Sequence, residues 1–284
     1  MNTQKPLWKR PLVFVSIGLL LMLIAYALVG FQLDSLGGSG AYEARSQHYN
    51  STIQAVELDV GTANVEFVKS TDGISKVTCY ENKNHKFTVE ESGGVLRVKQ
   101  NSVGFLWFDI GQPRVTVEVP EQVEITMKST NGSTRIADFA LKSFDYEQTN
   151  GDLKAQNLHI EGDCTLRSTN GSLELSNSSA GKVDAESSNG GIVLEYVKSR
   201  SSLRAKATNA KLHLENIEVG TRLDAKTTNG DIDILLQGRA ENYSISAKTT
   251  NGSSNTEDMQ RSDASKSVHA ETTNGDIHIA FTER

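Results

Sequence analysis

A four-residue pattern that ends in Asn-Gly in seven of its eight copies recurs between residues 129 and 275 and constrains the fold more than any other feature. It reads Ser-Thr-Asn-Gly or Thr-Thr-Asn-Gly in five copies, and its asparagines are spaced 19, 20, 19, 20, 20, 22 and 23 residues apart. A fixed period near 20 residues is typical of proteins in which equivalent segments stack on one another. The asparagines that set the register are Asn131, Asn150, Asn170, Asn189, Asn209, Asn229, Asn251 and Asn274.

The residues that flank each asparagine alternate between apolar and polar. Six residues before it, every copy has an apolar residue or cysteine, from Ile125 in the first copy to Val268 in the last. Cys164 occupies this position in the third copy, and Cys79 is the only other cysteine. A disulfide scaffold would use more cysteines than two, so buried thiols are favoured over a bridge, which stays an alternative.

The alternation continues after the turn and predicts two strands per copy. Three residues after the asparagine, Leu or Ile occurs in six copies, and five residues after it an apolar residue occurs in seven. Period two on both sides of a turn is typical of half-buried strands. Because the period leaves no room for a crossover helix, equivalent strands must stack in parallel, with coils numbered in chain order. The sequence therefore predicts an all-β fold, a parallel β-solenoid of about eight coils.

Each Asn-Gly is interpreted as a corner between two strands. Asn and Gly accept a positive φ most readily, and stacked Asn amides can hydrogen-bond along the solenoid, so we expect the eight asparagines to form a structural ladder. Three residues before each asparagine, charges alternate in sign from Lys128 through Lys206, the pattern of a solvated face that pairs between coils. Departures are Ala210 in place of Gly, and Ser254 and Thr256 where inward apolar residues are expected.

The N-terminal region predicts a membrane anchor. Residues 12–31 form an uncharged, mostly apolar run of 20 residues, which as a helix would span the ~30 Å hydrocarbon core. Three basic residues precede it, and Asp34 is the first charge after it. The positive-inside rule then places residues 1–11 in the cytoplasm and the C-terminal domain outside a single-pass cell membrane protein. A cleaved signal peptide is the alternative, since residues 25–27 (Ala-Tyr-Ala) match a cleavage pattern.

The segments between anchor and repeats are less regular. Residues 32–50 contain Gly-Gly-Ser-Gly and are interpreted as a flexible tether. Residues 51–120 alternate without a strict period, and we expect an irregular β cap or first coils there, before the solenoid repeats of 121–284. Residues 104–108 are an apolar run that either packs into this cap or contacts a membrane or partner. The side chains concerned are Phe105, Trp107 and Phe108.

Charge and residue spacing predict no catalytic, cofactor or metal site. A net charge of −6 with interspersed signs gives no footprint for nucleic acid. Two residues after the asparagine, only Asp152, Asp231 and Asp276 are acidic, in coils two, six and eight. That spacing exceeds the ~5–9.5 Å at which paired carboxylates cleave a glycosidic bond. His213 and His278 share one outward position three coils apart, with no carboxylate set expected to complete a metal site.

Two strings in the repeats carry a family resemblance. Thr-Thr-Asn-Gly-Asp-Ile-Asp-Ile at 227–234 recurs as Thr-Thr-Asn-Gly-Asp-Ile-His-Ile at 272–279, and Val-Glu-Val-Pro at 117–120 precedes the first copy. Over about residues 50–284 the chain resembles the bacterial putative-adhesin domain of unknown function. With its N-terminal apolar segment it is similar to LiaG-like membrane-anchored proteins of Gram-positive bacteria. The resemblance implies a surface role linked to cell-envelope stress.

Two functions follow as hypotheses. The first is a non-catalytic, membrane-anchored extracytoplasmic scaffold or adhesin-like binding protein of the bacterial cell envelope. Its partners would be cell-wall polymer or another membrane protein, contacted through the long flat faces of the solenoid. The alternative is an accessory or regulatory protein of a cell-envelope stress-response system that acts through a membrane partner.

Overall fold

The computed structural model describes residues 41–102, 113–256, 258–259 and 261–283. From Tyr42 onward these residues belong to one compact unit. The expected anchor at 12–31 and the apolar run at 104–108 lie outside the described residues. Within the described part of the chain, no helix has the length and apolarity needed to cross a membrane.

The described residues are almost entirely strands and turns, with one short 3-10 helix at Ala240–Asn242. In chain order the strands are β1 (Glu43–Tyr49), β2 (Ala55–Val60), β3 (Asn64–Lys69), β4 (Ser75–Glu81), β5 (His85–Ser92), β6 (Val95–Ser102), β7 (Arg114–Val119), β8 (Val123–Asn131), β9 (Thr134–Ala137), β10 (Ala140–Asn150), β11 (Leu153–Gln156), β12 (His159–Ile160), β13 (Asp163–Ser168), β14 (Leu173–Ala180), β15 (Lys182–Ser187), β16 (Ile192–Ser199), β17 (Ser202–Ala207), β18 (Leu212–Val219), β19 (Arg222–Lys226), β20 (Ile232–Leu236), β21 (Tyr243–Asn251), β22 (Lys266–Asn274) and β23 (Ile277–Phe281).

Each complete coil of the repeat region has three sides. A strand leads to the Asn-Gly turn, which we call the first corner, and a second strand follows it. The chain bends again seven residues after the asparagine, at what we call the second corner, and a short third side leads to the next coil. In the coil of Asn189 this bend lies within β16, at Tyr196 with φ 55°. The third side was not predicted from the sequence.

Stacked coils form two long parallel sheets. In the first, the spatial order is β6-β2-β8-β10-β13-β15-β17-β19-β22-β21. In the second, it is β7-β3-β9-β11-β14-β16-β18-β20-β23. Equivalent residues of neighbouring coils pair in register. The side chains at one repeat position therefore stack in a column along the solenoid. The predicted parallel solenoid is therefore confirmed.

The N-terminal end combines further coils with antiparallel strands. β2 and β3 stack in parallel on β8 and β9, although no Thr-Asn-Gly turn connects them. Beyond them, β5 pairs antiparallel with β6, and β4 lies antiparallel between β1 and β7. Antiparallel strands at this end occupy backbone groups that would otherwise be open edges of both sheets.

The last two coils stack in the reverse of their chain order. β22 pairs with β19, so the eighth copy lies directly on the sixth, and β21 of the seventh copy pairs with the outer edge of β22. Stacking in chain order, as expected from the repeat, is wrong at this end. The polar residues of the seventh copy explain why: Ser254 is exposed and Thr256 is half-buried. At the end of the stack these polar side chains keep access to solvent on one side, whereas an interior coil would have to bury them, as it buries Thr134.

The segment that follows β21 covers this terminal edge. Ile245 and Met259 exchange two backbone hydrogen bonds, both of 2.8 Å, in an antiparallel bridge. The carboxylate of Asp258 accepts a hydrogen bond from the backbone N–H of Ala247 at 2.8 Å. The chain therefore folds back along β21 and occupies groups that an open sheet edge would offer to another chain.

The interior is built from columns of inward side chains. Both cysteines are buried free thiols, Cys164 in one of these columns and Cys79 on β4. Desolvation raises the pKa of each thiol to about 12, so neither is a nucleophilic thiolate at neutral pH.

Burial of each large aliphatic side chain contributes about 1.5–3 kcal/mol. The column six residues before the ladder asparagines, at most 1% exposed throughout, is Ile125, Phe144, Cys164, Val183, Leu203, Leu223, Val268 and Ile245.

Candidate binding surface

The asparagines of the first corner hydrogen-bond to one another along the solenoid. In each of seven steps the Nδ2 of one amide donates to the Oδ1 of the next, at 2.6–2.9 Å. None of the eight asparagines has a positive φ, whereas Gly132, Gly151 and Gly275 do, so the backbone reason expected from the sequence holds for these glycines and is wrong for Asn. The amide itself explains the choice of Asn, since it donates and accepts at once. The order in space is Asn131, Asn150, Asn170, Asn189, Asn209, Asn229, Asn274 and Asn251.

The glycines of the first corner are required by close packing between coils. A Cβ at Gly171 would lie 1.6 Å from the carbonyl oxygen of Gly151, and a Cβ at Gly190 would lie 1.9 Å from that of Gly171. Such distances leave no room for a side chain at these two glycines, although Ala210 replaces the glycine in the fifth copy. With its amides engaged in the ladder and its backbone closely stacked, the first corner offers little to a ligand.

The acidic residues after the ladder also serve the turn. The carboxylate of Asp152 accepts the N–H of Ser172 at 2.9 Å, and that of Asp231 accepts the N–H of Asp276 at 2.9 Å. Asp231 and Asp276 therefore lie in neighbouring coils, which corrects the expected separation of two coils. The cause is the reversed stacking of the last two copies. Asp276 in turn accepts the N–H of Ser253 at 2.7 Å, and this hydrogen bond lowers its pKa.

Charged residues on the outer face of the first sheet pair between coils. Lys206 Nζ lies 2.8 Å from Glu186 Oε1, and the hydrogen bond from Lys206 is the main cause that lowers the pKa of Glu186. Lys226 Nζ lies 2.9 Å from Glu271 Oε2, a pair made possible because the eighth copy follows the sixth. Each exposed pair contributes about 0–1 kcal/mol. This face is a solvated, charge-balanced surface.

The second corner is chemically different from the first. Asp138, Asn157, Asn177, Tyr196 and Asn216 occupy it in successive coils, all with φ between 48° and 61°. Asp and Asn adopt this left-handed conformation more readily than other residues, whereas a bulky side chain does so at a cost of about 1–2 kcal/mol. The sequence carries this signal as Asp or Asn seven residues after the ladder asparagine, but the second corner was not predicted from it.

Tyr196 is the exception in this row. It is 55% exposed, and in the described part of the chain the only other exposed large apolar side chain is Val68. Beside Tyr196, a shallow depression is lined by Asn157, His159, Asn177 and the serines Ser178 and Ser179. His159 Nδ1 lies 2.9 Å from Ser179 Oγ. An exposed aromatic ring in a strained backbone conformation, bordered by hydrogen-bonding groups, is a candidate binding site.

A cluster of ligand-type side chains lies on the outer face of the second sheet, next in sequence to Tyr196. Glu195 and Glu215 pair in register on β16 and β18, and His213 projects from the same face two residues before Glu215. His213 Nε2 lies 3.2 Å from Glu215 Oε2 and 4.0 Å from Glu195 Oε1. All three side chains are 38–41% exposed. From the sequence, His213 was grouped only with His278, and neither carboxylate was predicted to lie beside it.

His278 lies nearer to His213 than expected. His213 pairs in register with Asp233, and Asp233 pairs with His278. The two histidines are thus two coils apart, and the expected three coils is wrong for the same reason as above. Asp233 forms an ion pair with Lys211. The predicted contact residues Phe105, Trp107 and Phe108 lie outside the described residues.

A family model described as Toastrack DUF4097 matches residues 53–280. The chain belongs to the Toastrack DUF4097 family. This confirms the resemblance of the region to an adhesin-like solenoid domain. Comparison with curated proteins gives no match.

Solved structures are similar to this family member at low sequence identity. A putative adhesin from Bacteroides fragilis matches with a TM-score of 0.56 and 14% identity, over 84% of this chain and 97% of that chain. A putative adhesin from Parabacteroides merdae matches with a TM-score of 0.48 and 14% identity, over 84% and 96%. At such identities the first similarity shows the fold alone. The family and these structures indicate no catalytic class.

Proposed function

We propose that this protein is a non-catalytic, membrane-anchored, LiaG-like binding protein of the cell envelope. It binds a glycan polymer of the cell wall through the second-corner row around Tyr196. The exposed ring of Tyr196 in a left-handed backbone conformation is the observation that carries this proposal. Residues 12–31 would hold the solenoid at the outer surface of the membrane.

The chemistry of the row suits a sugar. The apolar face of a pyranose packs against an aromatic ring, and its hydroxyls both donate and accept hydrogen bonds. Hydrogen-bond donors and acceptors lie next to the ring of Tyr196: the amides of Asn157 and Asn177, the imidazole of His159 and the hydroxyl of Ser179. The groups recur at the spacing of about 4.8 Å between strands, so a repeating polymer meets a repeating surface. The description of the B. fragilis protein as a putative adhesin supports a binding role.

Retention on purified cell wall tests the proposal. We expect the full-length chain to sediment with Gram-positive cell wall, and the Tyr196→Asn variant to bind about 10-fold more weakly, as when an aromatic anchor is lost. Asn adopts the left-handed conformation readily, so this variant should unfold at no lower temperature than the native chain.

Val68→Asn is the matched control, because among the described residues Val68 is the other exposed large apolar side chain. We expect it to bind like the native chain. Absence of retention by the native chain, or equal loss in both variants, would contradict a glycan site at Tyr196.

A further inference from the structure

We propose that Glu195, His213 and Glu215 form a binding site for a divalent first-row transition metal, Zn²⁺ being the ion that fits best. The site lies on the outer face of the second sheet and draws its ligands from two neighbouring coils. One ligand atom from each residue lies within 4.8 Å of the other two. The inference does not depend on the proposed glycan site, since the metal alone is the ligand.

The distances suit a metal with few ligands. In a tetrahedral zinc site, with ligand bonds of about 2.0–2.2 Å, neighbouring ligand atoms lie roughly 3.3–3.6 Å apart. His213 Nε2 and Glu215 Oε2 are already 3.2 Å apart, and Glu195 Oε1 at 4.0 Å needs only a small side-chain rotation. Imidazole favours zinc over magnesium or calcium. Three protein ligands leave one position for water or an anionic group.

The charges at this place independently favour the binding of a cation. Other carboxylates of this sheet are paired with a Lys of a neighbouring coil: Glu174 with Lys154 at 3.4 Å, and Glu218 with Lys198 at 2.9 Å. Glu195 and Glu215 are instead like charges directly opposite, which destabilises a sheet. Among the described residues, neither carboxylate has a Lys or Arg within ion-pair distance, and His213 is the only basic group in contact with them. A metal ion between the three would remove the repulsion.

The same sheet contains an internal comparison. His278 lies in the same column as His213, two coils away. The positions that correspond to Glu195 and Glu215 there are Leu235 and Ala280, which pair with each other. His213 and His278 thus occupy the same repeat position. His213 has carboxylates at both of the neighbouring outward positions, and His278 has none there.

Calorimetric titration of the full-length chain with Zn²⁺, in material without a histidine tag, tests the site. We expect one Zn²⁺ per chain, and at least about 10-fold weaker binding for His213→Gln and for Glu215→Gln, since loss of a ligand costs no less than loss of its supporting groups. His278→Gln is the matched control and should bind like the native chain. Zinc-edge X-ray absorption should show one imidazole nitrogen and two carboxylate oxygens.

A stability measurement separates a metal site from an ion pair between His213 and the carboxylates. Without metal, Glu215→Gln should melt at or above the temperature of the native chain, because it removes a like-charge contact. Zn²⁺ should raise the melting temperature of the native chain and of His278→Gln only. No zinc binding by the native chain, or equal affinity in the native, His213→Gln and Glu215→Gln proteins, would overturn the proposal.

Discussion

The chain turns between strands at both corners of the coil, but the two turns are stabilised in different ways. At the first corner, eight asparagines satisfy one another through seven amide hydrogen bonds, and glycines allow backbones of neighbouring coils to touch. At the second corner, the turn depends on a left-handed residue in each coil. Among the described residues of that row, only Asn157 and Asp138 are joined by a side-chain hydrogen bond, at 2.7 Å.

This difference supports the proposed binding site at the second corner. A corner whose polar groups are all engaged by neighbouring coils stabilises the stack and leaves little for a ligand. A corner whose side chains are not engaged in this way can vary from coil to coil, and there the chain places Tyr196. Glu195 of the proposed metal site directly precedes this residue in the chain. The regular corner is structural, and the irregular corner is the candidate for binding.

The largest expected effect tests the close packing at the first corner. Gly190→Ala should lower the free energy of unfolding by about 3 kcal/mol, because its Cβ would lie 1.9 Å from a backbone oxygen that cannot move aside. Gly191→Ala is the control next in sequence, since its Cβ would meet only the Lys211 oxygen at 3.9 Å. That variant should be neutral or about 0.5 kcal/mol more stable. Urea denaturation measures both, and similar values would contradict the packing argument.

A smaller loss of stability is expected when an amide is removed from the first corner, and a still smaller one at the second corner. Asn170→Ala removes a hydrogen bond of 2.6 Å to Asn150 and one of 2.7 Å from Asn189, and should cost about 2 kcal/mol of unfolding free energy. Asn177→Gly at the second corner keeps a residue that tolerates positive φ and should change stability by less than about 0.5 kcal/mol. Thermal unfolding measures both variants. If Asn177→Gly proved as destabilising as Asn170→Ala, the second corner would also be structural.

The smallest expected effect is an acid response of the first corner. The backbone N–H of Ser253 is the main cause that lowers the pKa of Asp276 below its ordinary value of 3.8. A lowered folded-state pKa contributes stability above pH 3.8 that is lost as pH falls below it. Hydrogen exchange should therefore show the protection factor of Ser253 decreasing below pH 4. Asp276→Asn should abolish this pH dependence, and an unchanged response in that variant would assign it to another group.

Much of the regular architecture could be predicted from the sequence, because in-register stacking repeats each local pattern as a column. The ladder asparagines and the column from Ile125 to Val268 were visible as positions that recur. The second corner could have been found in the same way, since Asp138, Asn157 and Asn177 stand at one repeat position. It was missed because Tyr196 interrupts the pattern, and turn preference without hydrophobic periodicity is a weak signal.

The order of the last coils and the partners of His213 depended on the tertiary structure. The strands that precede the Asn-Gly turns all have similar backbone hydrogen-bonding groups. The local sequence therefore does not specify that β19 pairs with β22 and not with β21. Solvation favours the observed order, because only a terminal position leaves both Ser254 and Thr256 access to water. The three-residue cluster likewise joins residues from two coils, and its geometry follows from the stacking register.

The sequence by itself determined the solenoid, its period and its inward columns, because hydrophobic alternation and Asn-Gly turns act locally and repeat. Only the tertiary structure decided which copy ends the stack, which side chains remain exposed at the second corner, and which acidic groups lie beside His213. These outcomes depend on contacts between coils and on access to water, and neither is encoded at a single position of the repeat.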